Sequence, residues 1–83
     1  MSAAELYKNA VKAKSKNLDE AKRLATLAAN KNYPPAHKML GQIYQTEMNY
    51  KKAVFHFKKY VELAPNAPDA GVIKSYIQQL ESM

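Results

Sequence analysis

The chain has 83 residues with no cysteine and no tryptophan, which leaves room for one domain and none for a disulfide framework, a thiolate metal site or a cysteine nucleophile. Thirteen lysines and arginines against seven carboxylates give a formal charge of +6, which favours acidic partners without selecting one. No apolar run approaches the roughly 20 residues that span a bilayer and the N-terminus lacks the apolar stretch of a secretory signal, so the sequence as it stands reads as that of a cytoplasmic protein.

Hydrophobic spacing predicts five helices, near residues 3–15, 18–30, 35–47, 50–63 and 68–82, and no strand. In the first, Leu6, Tyr7, Ala10, Val11 and Ala13 or Lys14 mark one face, and the helix is expected to end near Lys16 and Asn17. Asp19 and Glu20 open the second, whose apolar members are Leu18, Ala21, Leu24, Ala25, Leu27 and Ala28. Asn30 and Asn32 are the expected left-handed stop residues, and Pro34-Pro35 cannot continue a helix but can begin one.

The third helix buries Ala36, Met39, Leu40, Ile43 and Tyr44, after which Asn49 is expected to turn the chain. A fourth carries Tyr50, Ala53, Val54, Phe57, Tyr60 and Val61 and is stopped by Pro65-Asn66-Ala67-Pro68. Asp69 opens the fifth, with Val72, Ile73, Tyr76, Ile77 and Leu80 spaced for burial. Short connections make neighbouring helices antiparallel, so the fold class is all-α.

The sequence also repeats. Shifted by about 32 residues, Asn17-Leu18-Asp19-Glu20-Ala21 falls on Asn49-Tyr50-Lys51-Lys52-Ala53, the mark of a stacked helical-hairpin array. Residues 34–67 then present His37, Leu40-Gly41, Tyr44, Tyr50, Ala53, Phe57, Tyr60 and Pro65 at the intervals of a tetratricopeptide repeat, which they resemble closely. His37 stands where that pattern has Trp and Tyr60 where it has Ala. The first unit, about 2–33, matches through Leu18, Ala21 and Ala28, and residues 68–83 are similar to the capping helix of such arrays. The resemblance implies antiparallel helical hairpins wound into a right-handed superhelix. Gly41 supports it independently, because a mid-helix glycine costs roughly 1 kcal/mol and so suggests a backbone approached too closely for a side chain.

Chemistry is harder to find. His37 and His56 lack the short spacing of metal ligands; His37 falls on a core position and His56 on the outer, solvated side of the fourth helix. The adjacent carboxylates Asp19 and Glu20 serve helix initiation, and Gly41 and Gly71 are too far apart for a phosphate loop. The sequence therefore predicts no enzyme, no metal and no cofactor.

What remains is surface. Tetratricopeptide arrays receive a peptide or helix in a groove lined by the first helix of each pair, and the resemblance assigns Lys38, Gln42, Gln45 and Thr46 of the third helix and Glu5, Asn9 and Lys12 of the first to that groove. In the subfamily whose grooves clamp a C-terminal carboxylate, Lys and Asn hold the slots taken here by Lys38 and Gln42. Tyr76 and Gln79 are candidates to close the groove. The expected function is a non-enzymatic protein-interaction module, with self-association through Phe55, Tyr60, Val72 or Ile73 as an alternative. A further alternative is nucleic-acid or anionic-surface binding through Lys8, Lys12 and Lys16 and through Lys51, Lys52, Lys58 and Lys59. Nucleic acid is disfavoured, since Arg23 is the only arginine.

Overall fold

The computed structural model describes all of residues 1–83 as five helices without a strand: α1 Ala3–Ala13, α2 Leu18–Ala29, α3 Pro34–Thr46, α4 Tyr50–Leu63 and α5 Ala70–Glu81. None is long and apolar enough to cross a membrane. Packing follows chain order, with α1 on α2 and α3 on α4 as hairpins, α2 joining the hairpins through α3, and α5 covering α4.

Local chemistry sets the ends. Ser2 accepts from the Glu5 N–H while the Glu5 carboxylate accepts from the Ser2 N–H, both at 3.1 Å, a reciprocal cap that starts α1. Asn17 caps α2 by accepting from the Glu20 N–H. Tyr33 gives α3 no side-chain cap, and little is lost, since Pro34 and Pro35 bring no N–H to the first two helical positions. Three expected boundaries shift. α1 stops at Ala13 and the chain reaches Asn17 through hydrogen-bonded turns closing on the Ala13 carbonyl. Asn32 takes the left-handed conformation (φ 60°) but Asn30 stays right-handed. The turn after α3 is made by Met48 (φ 62°), which frees Asn49 to cap α4 by accepting from the Lys52 N–H.

Two apolar clusters form the interior. The N-terminal one joins α1, α2 and α3 through Leu6, Ala10, Ala21, Ala25, Ala28, Ala29, Ala36, Met39, Leu40 and Ile43. The C-terminal one joins α4 and α5 through Ala53, Phe57, Tyr60, Ile73, Ile77 and Leu80. Tyr44 of α3 packs against both. Gly41 sits at the closest approach of α3 and α4, where an added Cβ would fall 2.6 Å from ring carbons of the fully buried Phe57. Val11, Leu18, Leu27, Val72 and Tyr76, expected to be buried, are exposed, because each lies at the edge of its helix's buried stripe.

Candidate functional site

A cleft of about 350 Å³ opens between α1 and α3. α1 supplies Tyr7, Val11 and Lys14, one helical turn apart on one face, and Tyr7 is steadied by the ring of Tyr33 at 5.6 Å. α3 supplies Pro35, Lys38, Met39 and Gln42, and Tyr60 of α4 forms the end wall. The lining therefore combines apolar and aromatic side chains with two lysines and an amide.

One lysine is already engaged. The Lys38 Nζ donates to Asp69 Oδ2 at 2.5 Å, and the Tyr60 hydroxyl donates to Asp69 Oδ1 at 2.6 Å. Asp69, expected only to start α5, makes no side-chain cap there and instead ties α3 and α4 to the start of α5. The Lys38 hydrogen bond, with that of Tyr60, holds the Asp69 carboxyl below its ordinary value. Reciprocally, the Asp69 hydrogen bond, with burial, pushes the Tyr60 phenol up to about 12. A tyrosine at this position packs and bonds; the ring is buried and its hydroxyl satisfied. Lys14 forms no ion pair within hydrogen-bonding or salt-bridge distance, which leaves it as the free cation of the cleft.

Of the sequence-predicted groove residues, the structure brings Lys38 and Gln42 to this cleft. Gln42 also borders a smaller depression with Lys14, Leu18, Ile43 and Thr46, where the Thr46 hydroxyl donates to the Gln42 carbonyl at 3.0 Å. Gln45 is half-buried and lines neither. Glu5 is taken up by the α1 cap, and Asn9 and Lys12 are turned by about 100° or more around the helix from the face that carries Tyr7, Val11 and Lys14. Tyr76, half-exposed on α5, sets its ring 6.1 Å from that of Phe57 and does not reach the cleft, and neither does Gln79. Tyr7, Val11, Lys14, Pro35, Met39 and Tyr60 line the cleft without any assignment to a groove from the sequence. The signal for Tyr7 and Lys14 was the seven-residue step along the apolar edge of α1.

His56 corrects the expectation of a solvated residue. It lies three residues from Ala53 and four from Tyr60, the flank of α4's buried stripe, and turns inward onto α3. Its Nδ1 is 3.0 Å from the Nδ1 of the buried His37, and its ring stacks on Tyr44 at 5.6 Å with an 11° inclination. The lysines of α4 are partly neutralised, Lys58 by Glu81 at 2.8 Å and Lys59 by Glu62 at 3.9 Å, while Lys52 lies over the Tyr44 ring. Of the residues expected to mediate self-association, Tyr60 and Ile73 are buried, whereas Phe55 and Val72 are more than half exposed.

A stretch of 44 residues, 53% of the chain, is 43% identical to Cell division cycle protein 27 homolog A of Arabidopsis thaliana. The five helices and their packing order are consistent with a helical-repeat hairpin arrangement. The chain spans about 6% of the relative's length. No family model matches the chain, and no solved structure matches it.

Proposed function

We propose that the chain is a non-enzymatic protein-interaction module of tetratricopeptide type, two hairpin repeats (about 2–33 and 34–67) closed by a capping helix (68–83), that binds a peptide or helix of a partner protein in the cleft between α1 and α3. The observation that carries this reading is the cleft itself. Side chains from three helices converge there on one opening, with an apolar floor from Met39 and Tyr7 and hydrogen-bonding groups from Lys14 and Gln42 at the rim. A ligand that fits carries an apolar side chain for the floor and a carboxylate for Lys14, and so is acidic in keeping with the charge of +6. The hairpin packing order, α1 on α2 and α3 on α4, supports the same reading.

The test begins by selecting binders from a displayed library of random peptides and measuring their affinities by calorimetry. Lys14→Glu with Gln42→Ala is expected to weaken the selected peptides by more than about tenfold, roughly 1.4 kcal/mol, with the melting temperature nearly unchanged. Lys38 is left alone, because charge reversal there would also cut its bond to Asp69. Replacing Lys51, Lys52, Lys58 and Lys59 together by Glu is expected to alter association rate and salt sensitivity alone. If the quadruple change abolishes binding and the cleft pair does not, the interaction face is the one on α4 that carries those lysines.

A further inference from the structure

Across the α3–α4 hairpin, His37 and His56 set their Nδ1 atoms 3.0 Å apart with ring planes inclined by 33°. At that separation one nitrogen donates and the other accepts, so the neutral tautomers are complementary. A first added proton keeps the bond but puts a charge into a largely buried site; a second makes both Nδ1 atoms donors and removes the bond. The surroundings oppose both steps. Lys52 and Lys59 of α4 act on the pair, no carboxylate does, and the neighbouring groups from α3 and α2 are the Tyr44 ring and the Ala29 carbonyl. Lys22 of α2, which lies over the Tyr44 ring, is held by both carboxylate oxygens of Glu47 at 3.0 Å. The pair is no metal site, since no third histidine or carboxylate joins it and a cation would meet those lysines uncompensated.

Position gives the contact its importance. Tyr44, stacked on His56, is the side chain shared by the two apolar clusters, so whatever moves His56 moves their junction. We propose that the His37–His56 contact is an acid-sensitive joint, which holds α3 on α4 while both rings are neutral and loosens the junction of the two clusters when they take up protons. Its sign follows from linkage. Burial, followed by the charges of His37 and Lys52, pushes the His56 ring down to about 4. Burial, outweighing the Ala29 carbonyl and reinforced by Lys59, lowers His37 as well. The unfolded chain binds these protons near pH 6.5, so the stability is complete above about that pH and is lost as the pH falls toward about 4.

The chain has two histidines, so imidazole NMR signals report this pair and nothing else. The experiment titrates the whole chain from about pH 8 to about pH 4 by NMR and measures urea unfolding along the way. Both rings are expected to take up protons below about 6.5, and the unfolding equilibrium constant to rise by at least about twentyfold between pH 7 and pH 5, above the range where carboxylates protonate. His37→Phe/His56→Phe, which keeps two flat rings and removes the protonation sites, is expected to hold a level urea midpoint over that interval. Ring midpoints at or above about 6.5, a level urea midpoint in the unaltered chain, or a double variant as acid-sensitive as the parent each overturn the joint. If the double variant does not fold, the ring titration of the unaltered chain decides alone.

Discussion

Six of the ten residues in the N-terminal cluster are alanine, against one of six in the C-terminal cluster. Both clusters exclude water equally well, yet they do so by opposite means. Around α2, Ala21, Ala25 and Ala28 are fully buried because the neighbouring helices come close enough for a methyl group to fill the space. Around α4, Phe57 fills the space from one side, and Gly41 has given up its side chain to admit the ring. The difference teaches where each half is vulnerable: the alanine-lined half to enlargement, the aromatic half to truncation.

The largest expected effect is on the aromatic half. Phe57→Ala removes its central ring and is expected to cost about 3–5 kcal/mol, read from urea or thermal unfolding. A melting temperature unchanged within a degree would show that the ring is not the keystone of that cluster. Ala25→Leu in the other half inserts methylenes where there is no room and is expected to cost about 1–3 kcal/mol, so that equal tolerance of both changes would erase the contrast. Gly41→Ala sharpens it at the boundary. Despite the better helix propensity of alanine, its Cβ meets the Phe57 ring and the change is expected to destabilise, whereas Gly71→Ala, with open space around it, is expected to stabilise by about 0.4–1 kcal/mol.

Comparable in size is the turn between the halves, where Met48 takes a positive φ while mostly exposed. Met48→Gly is expected to stabilise by about 0.5–1 kcal/mol in urea titration by removing the cost of the left-handed conformation. Asp69→Asn is read through protonation. Because the Tyr60 phenol is pushed up to about 12 by Asp69, its contribution is present below the ordinary value of 10.0 and is lost as the pH rises through about 12. With Asp69→Asn, ultraviolet titration should show one tyrosine moving back toward the ordinary range.

The fold was legible because its signals are local. Breakers such as Pro34-Pro35 and Pro65 to Pro68, the carboxylates opening α2 and the spacing around Ala21, Ala53 and Phe57 act within a turn or two of the chain. Gly41 was legible too, since a glycine inside a helical pattern already implies a close neighbour. The site was only partly so. Lys38 and Gln42 stand on a strongly patterned helix and reach the cleft, but the face of α1 that meets them depends on how the hairpins stack, which no single helix encodes. His56 looked solvated because its partner lies in another helix, and Asp69 looked like a cap because the chain alone does not show that Lys38 and Tyr60 arrive beside it.

That last arrangement gives the molecule an optical property. With six tyrosines and no tryptophan, its ultraviolet emission is phenolic throughout. A carboxylate that accepts a hydrogen bond from a phenol is a ready acceptor for its proton in the excited state, so the Asp69 contact is expected to lower the emission of Tyr60, and unfolding that parts the two is expected to raise it. The contact thus offers a label for this corner of the fold that needs no dye and no changed residue.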